Sequence, residues 1–435
     1  MLAECPVLRF HVWSIGCQMN TADARRASDE LELYGGEACD RIEDADVVVL
    51  YSCVVREAAQ TKVHNELERI RKLKAQRPGM RVGLAGCMVE DDISELARHY
   101  PFIDRFISPK IDLPVRDQIL DFVDLDERYR SDPEDAERQW GVSQPVTVSQ
   151  GCNRRCTYCI IPFRRGAERS RQPADVRREV ELLARRGTKE VVLLGQIVDR
   201  YGRDLGTTLG DLCADISEIE SLERIRFLTS YPVDFDRPLI EAVASLPKVC
   251  EDVNLPIQAG DDTVLRRMAR GYNVDLYERL VSYMRSSIPN LGLSTDIIVG
   301  FCGETEAQFE NTLDLLRRVR FDVVHVAMYS PRDGTASERL WEDDVPREEK
   351  KRRLHEVERI QERVSSEINA ALVGTRQEVL VEGTRQGKWY GRTRHNKIVF
   401  FESDEYLPGR VVPLEITSAS SWSLQGRLVR AVIDW

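Results

Sequence analysis

Three cysteines, Cys152, Cys156 and Cys159, stand four and three residues apart in the string Gln150-Gly151-Cys152-Asn153-Arg154-Arg155-Cys156-Thr157-Tyr158-Cys159, in the first half of a 435-residue chain. Thiolates this close in sequence can converge on one soft metal centre. A closed zinc site asks for four ligands, usually as paired Cys-x-x-Cys units, and no fourth cysteine or histidine lies nearby. Three ligands suit a four-iron cluster that keeps one iron open for a substrate or cofactor.

Three more cysteines are placed by the elements around them. Residues 7–14 read as a strand, 21–34 as a helix with Ala24, Ala27, Leu31 and Tyr34 on one face, and Gly35-Gly36 as its stop. Residues 46–52 form a continuous apolar run suited to a buried parallel strand, followed by a helix carrying Ala59, Val63, Leu67 and Ile70. Residues 81–85 make a third strand, and the pattern is that of a doubly wound α/β domain. Cys17, Cys53 and Cys87 each follow one of these strands directly, so all three thiols are expected at the carboxyl edge of one parallel sheet. A small residue precedes each, which favours a second three-cysteine site over three separate buried hydrophobes. Cys5, Cys39, Cys213, Cys250 and Cys302 have no comparable arrangement and read as packing residues.

With 42% hydrophobic and 31% charged residues the chain reads as a soluble multidomain protein, and eleven cysteines point to metal or thiol chemistry before disulfides. No basic region followed by an apolar run opens it and no apolar stretch is long enough to span a bilayer, so the expectation is a cytoplasmic protein without a membrane partner. From 118 to 140 eight acidic residues face Arg128, Arg130 and Arg138, as in a linker. Strands near 145–150, 190–194, 224–229, 251–255, 291–299 and 322–329, alternating with helices such as 174–186 and 306–318, predict a partial (β/α)6 barrel, open on one side. After a long helix near 346–372, five short strands predict a small β-barrel resembling oligonucleotide-binding folds. The expected division is 1–120, a linker at 121–143, 144–372 and 373–435.

Net charge is −11, so any polyanion must be held by local patches. Two exist. Cys152 to Arg178 carries eight arginines against Glu168 and Asp175, among them Arg164, Arg165, Arg169 and Arg171. The tail combines Lys388, Trp389, Tyr390, Arg392, Arg394, His395 and Lys397, and basic residues interleaved with aromatics can hold phosphates while bases stack. The alternative is a plain β-barrel with Trp389 and Tyr390 in its core.

The Cx3CxxC loop with Tyr158 before its last cysteine resembles the radical S-adenosylmethionine superfamily, and the whole chain resembles the methylthiotransferases: a three-cysteine domain, a radical barrel and a TRAM domain. Similarity to the MiaB branch lies in Gly16-Cys17-Gln18-Met19-Asn20, Cys53-Val54-Val55-Arg56-Glu57 and Gly166-Ala167-Glu168-Arg169-Ser170-Arg171. The resemblance implies two 4Fe-4S clusters, on Cys17, Cys53 and Cys87 and on Cys152, Cys156 and Cys159. The open iron of the second would hold S-adenosylmethionine, with Tyr158, Gly195, Gln196, Ser230 and Gln258 around it. It further implies methylthio transfer to C2 of N6-dimethylallyl adenosine beside the anticodon, a tRNA anticodon stem-loop as partner, flavodoxin or ferredoxin as electron donor, a monomer, and no catalytic base. The alternative branches act on threonylcarbamoyl adenosine or on a ribosomal-protein aspartate, and the string from Gly16 to Asn20 speaks against them. The chain departs from the pattern at Tyr51-Ser52, Ile197, Tyr231, Asn254 and Cys302; none is a cluster ligand.

Overall fold

The computed structural model describes residues 8–54, 57–89, 92–110, 118–119, 122–123 and 141–429. Residues 124–140 of the expected acidic linker lie outside them. The amino-terminal unit runs β1 (Arg9–Ser14), α1 (Gln18–Leu33), β2 (Glu37–Ala38), β3 (Val47–Ser52), α2 (Glu57–Gln76), β4 (Arg81–Gly86), α3 (Ser94–His99) and β5 (Arg105–Ile107). Its five strands are all parallel, in the order β2-β1-β3-β4-β5. β3 is buried at every position, as a Val-rich central strand covered on both faces should be. Val48 and Leu50 pack with Val63, Leu67 and Ile70 of α2, and Val47 and Val49 with Ala24, Ala27 and Leu31 of α1. The strand order reverses between β1 and β3, which opens a crevice beyond their carboxyl ends. The helix expected from residue 21 starts at Gln18 with Cys17 as N-cap, so this thiol stands at its first turn.

The central unit comprises β6 (Ser143–Thr147), β7 (Ser149–Gln150), α4 (Ile161–Arg165), β8 (Arg169–Ser170), α5 (Pro173–Arg185), β9 (Glu190–Leu194), α6 (Leu209–Ser217), β10 (Arg224–Leu228), α7 (Arg237–Ser245), β11 (Asp252–Asn254), α8 (Asp262–Arg267), α9 (Val274–Ser287), β12 (Gly292–Val299), α10 (Glu306–Val319), β13 (Val323–Met328), α11 (Ala336–Leu340) and α12 (Arg347–Ala370). Parallel sheets β6-β9-β10 and β11-β12-β13 are joined by a bridge between Ile225 and Val249, giving six strands in chain order. Among the described residues no pairing joins β13 to β6, so the expected partial barrel is what forms. Capping boxes at Thr208 and Thr305 start α6 and α10. Met19 and Ala22 of α1 pack on Leu194, Val192 and Leu228, so the amino-terminal unit leans on the barrel's first strands.

The tail closes into a five-stranded barrel, β14 (Arg376–Arg385), β15 (Lys388–Thr393), β16 (Ile398–Phe401), β17 (Val411–Ala419) and β18 (Leu424–Leu428), in the order β14-β15-β16-β18-β17. It seats on the amino-terminal ends of the central strands. Arg224 donates to the Arg392 and Glu378 carbonyls at 2.7 and 3.1 Å, and Arg226 to those of Thr393 and Arg394 at 2.6 and 2.7 Å. Arg226 also pairs with Glu190 at 2.8 Å and Asp252 at 3.2 Å, all three buried. No helix among the described residues is long and apolar enough to cross a membrane.

Candidate active site

Cys17, Cys53 and Cys87 emerge at the crevice that the strand order creates, after β1, β3 and β4. Gly16 has φ +121°, and a Cβ there would lie 2.3 Å from the Cβ of Cys53, so only glycine lets these loops meet. Asn20, fully buried, donates to the carbonyls of Ile15 and Ser52 at 3.0 and 2.9 Å, tying the loops ahead of Cys17 and Cys53 together. Cys53 and Cys87 are buried and Cys17 is exposed. A hydrogen bond from Cys53, helped by the Arg165 cation, brings the Cys17 thiol down to about 6, whereas burial raises Cys87.

The second triad sits on the loop between β7 and α4. Cys152 is held by its N–H on the Gly166 carbonyl at 3.1 Å, and Thr157 by two bonds to the end of α8, N–H to Met268 O at 3.1 Å and hydroxyl to Arg267 O at 2.8 Å. At Gly151, φ +77°, a Cβ would stand 2.0 Å from the Ala167 carbonyl oxygen, which explains the glycine before the first cysteine. Arg270 reaches the loop from the far side, its Nη1 at 3.4 Å from Cys156 Sγ and 3.3 Å from the Tyr158 hydroxyl. Tyr231 lies between two guanidiniums, Arg154 and Arg270, each 4.5 Å from its ring centroid, and its hydroxyl donates to the Arg270 carbonyl. The departure at 231 therefore braces the residue that touches the Cys156 thiol. Burial pushes Cys159 up to about 12 and raises Cys152, so a metal taken up here would have to displace protons.

Around this loop the expected S-adenosylmethionine contacts collect at strand ends: Gly195 and Gln196 after β9, Ser230 after β10, Gln258 after β11. Thr229 and Gln258 hold φ of +73° and +80°, strained for non-glycine residues. The Gln196 Oε1, Ser230 Oγ and Asp199 Oδ1 atoms are buried without a well-formed hydrogen bond. Buried polar atoms normally find partners, so these mark a place built for a polar ligand. Burial pushes the Asp199 carboxyl up to about 8, although the Tyr231 N–H bonds it at 2.6 Å and Ser230 lies alongside. Asn254 is buried, its amide 3.2 Å from Ser294 Oγ and 3.4 Å from Asp296 Oδ2; Ile197 and Cys302 are core residues.

The basic residues expected at RNA separate. Arg165 is 2% exposed and turned to the amino-terminal triad, its Nε 3.3 Å from Cys87 Sγ. Arg171 bonds the Thr147 carbonyl at 2.8 Å and Glu179 at 2.6 Å. Of Arg164, Arg165, Arg169 and Arg171, only Arg169 is exposed, with Arg164 half-buried. In the tail, Arg394 clasps Glu251 at 2.7 and 2.8 Å and Lys397 pairs with Asp322 at 2.6 Å, so both fasten the tail to the barrel. Arg392 pairs with Glu382 at 3.0 Å and Lys388 with Glu402 at 3.2 Å. Trp389 is half-buried against the tail core and donates Nε1–H to the Ser403 carbonyl at 2.9 Å. The sequence reading gave no site role to Tyr406 and Trp422, 79% and 64% exposed, nor to Asn20, Asp23 and Arg270.

The radical SAM superfamily model matches residues 146–316, the model of uncharacterized protein family UPF0004 residues 9–108, and the TRAM domain model residues 370–429. A tRNA-2-methylthio-N(6)-dimethylallyladenosine synthase of Dehalococcoides mccartyi is 45% identical over 97% of this chain and 98% of its own. Proteins of the same name from Chloroflexus aurantiacus and Moorella thermoacetica are 43% and 41% identical, over 96% and 97% of this chain and 91% and 98% of theirs. The chain belongs to this synthase family. In fold it is similar to a radical S-adenosylmethionine methyltransferase, TsrM, from Kitasatospora setae, with TM-score 0.57 and 14% identity over 76% of this chain and 74% of that one.

For a synthase of this family the donor sets fit four-iron clusters. Each triad offers three free cysteines. Three thiolates are what a four-iron cluster with one open iron takes from a protein. The buried Gln196 Oε1, Ser230 Oγ and Asp199 Oδ1, without well-formed hydrogen bonds, suit a polar cofactor at these strand ends.

Proposed function

We propose that this protein attaches a methylthio group to C2 of N6-dimethylallyl adenosine beside a tRNA anticodon, with the labour divided among residues 1–120, 144–372 and 373–435. When bound, the two clusters and S-adenosylmethionine supply a methylated sulfur and a deoxyadenosyl radical. Cys17, Cys53 and Cys87 hold the auxiliary cluster, and Cys152, Cys156 and Cys159 the one that takes S-adenosylmethionine. Gln196, Ser230 and Gln258 orient that cofactor, Tyr158 and Arg270 fix the loop, and the strand ends exclude water that would quench a carbon radical. No histidine is assigned as a base. Arg164, Arg169, Lys388 and Arg392, with Tyr406 and Trp422, are the candidate tRNA contacts; a flavodoxin or ferredoxin supplies the electron, and the protein works as a cytoplasmic monomer.

The observation that supports this reading is that three cysteines follow β1, β3 and β4 at the carboxyl edge of one parallel sheet, with Arg165 from the helix after the loop triad against Cys87, on a unit packed against that triad's barrel. The test is mass spectrometry of tRNA nucleosides from cells lacking the protein. N6-dimethylallyl adenosine should accumulate without its 2-methylthio form, and persistence of that form would refute the assignment.

A further inference from the structure

We propose that Arg165 is a positioning residue for the amino-terminal cluster: from the helix that follows the loop triad it donates an N–H to the Cys87 thiolate, holds the three cysteine loops in register, and raises the reduction potential of the cluster they carry. The proposal rests on the two-cluster reading above.

α4 follows Cys159 almost at once, with Ile160 as its N-cap, and ends at Arg165. One short helix thus has a ligand of one site at its head and a guanidinium in the other at its foot. Arg165 Nε points at Cys87 Sγ at 3.3 Å. Nη1 and Nη2 both reach Asp23 Oδ2 at 3.2 Å, and Nη2 donates to Asn20 Oδ1 at 3.1 Å. Asn20 in turn donates to the carbonyls of Ile15 and Ser52. One guanidinium is therefore tied to all three loops, directly at Cys87 and through Asn20 at the other two.

A buried Arg165–Asp23 pair alone would be an interdomain latch. The third direction of the fork distinguishes the case, because Nε meets a ligand sulfur. A cationic donor on a cluster thiolate draws charge from the sulfur and favours the state with the added electron, so the potential rises. Asp23 partly offsets that charge.

The experiment uses full-length protein with Cys152, Cys156 and Cys159 replaced by alanine, so that only the amino-terminal cluster forms, and follows its midpoint potential by EPR-monitored redox titration alongside iron content. If the parent with Arg165 binds no iron, the two-cluster reading has failed rather than this one. Given a loaded parent, Arg165→Gln should lower the potential with iron retained, and Arg165→Lys should recover part of the fall. Asp23→Asn should move it the other way, because it keeps the donor and removes the opposing charge. An unchanged potential in Arg165→Gln overturns the proposal. If Arg165→Gln loses its iron, Arg165→Lys decides: a loaded variant with a lowered potential supports the role, and an unchanged or raised one leaves only a latch and overturns it.

Discussion

The two ends of the central barrel are built from the same six strands and carry opposite kinds of polar chemistry. At the amino end Arg224, Arg226, Glu190, Asp252 and Glu251 are buried or half-buried, and each is bonded, most of them to the tail. At the carboxyl end Gln196, Ser230 and Asp199 leave buried atoms without well-formed bonds, Thr229 and Gln258 are strained, and three thiols share one loop. Satisfied groups hold a structure together. Unsatisfied ones, kept in place by the rest of the fold, are where a ligand completes the bonding. Substitutions at the carboxyl end should therefore abolish chemistry at little cost in stability, and those at the amino end the reverse.

The largest effect separates the ends outright. Replacing Cys152, Cys156 and Cys159 by alanine should take deoxyadenosine release on reduction to background and bound iron from about eight to about four per chain. Replacing Cys17, Cys53 and Cys87 should remove the same share of iron and all methylthio product, yet leave that release intact. Retention of all iron by either variant would merge the two sites into one.

The next effect is structural. Deleting the tail from residue 374 looks from sequence like a clean removal of an RNA-binding module, but it would strip Arg224 and Arg226 of the carbonyls of Glu378, Arg392, Thr393 and Arg394 and take Arg394 from Glu251. Hydrogen bonds to charged groups are worth about 1.5–3 kcal/mol. Thermal unfolding of the deletion should show the barrel destabilised on that scale, and Arg226→Met in the full chain should loosen the tail while leaving S-adenosylmethionine cleavage unchanged. A deletion as stable as the parent would show the docking to be incidental.

These contrasts mark where sequence was legible. The loop triad is contiguous, so spacing alone exposed it, and the other triad followed from finding each cysteine after a predicted strand. The six-strand arc and the five-stranded tail were likewise readable from alternation and turn residues. Charge was not. Arg165, Arg394 and Lys397 looked like RNA contacts because a run of arginines reads the same whether it faces water or a buried acid, and Glu251 lies 143 residues from Arg394. Conversely Tyr406 drew no attention, because an isolated tyrosine in a turn carries no pattern, and only the fold leaves it 79% exposed with its ring edge-on to Trp389 at 6.2 Å.

That aromatic provides a third and smaller test. Base stacking is worth about 1–3 kcal/mol per base on alanine substitution, so Tyr406→Ala should weaken binding of an anticodon stem-loop by roughly 5- to 150-fold while leaving the salt dependence nearly unchanged. Lys388→Gln should instead reduce the salt slope by about one unit or less. Equal affinity in both variants would place RNA recognition on the barrel around Arg169.

The last test is read from pH dependence and concerns Asp199, the one carboxyl at the carboxyl end that burial raises to about 8. In the unfolded chain it titrates near ~4. Between these values the folded protein keeps a proton that the unfolded chain has lost, so this group stabilises the fold fully at low pH and loses that contribution as pH rises toward 8, with a slope of order 1 kcal/mol per pH unit. Asp199→Asn has no proton to lose, and its amide oxygen can still accept from the Tyr231 N–H that Asp199 now bonds. Unfolding measured from about pH 5 to about pH 8 should therefore show the variant gaining on the parent as pH rises, the two curves converging or crossing at the alkaline side. Parallel curves would mean that Asp199 is ionised in the fold, its charge met by a partner beyond the Tyr231 amide and Ser230, and the carboxyl end would then hold one unsatisfied group fewer than the comparison with the amino end requires.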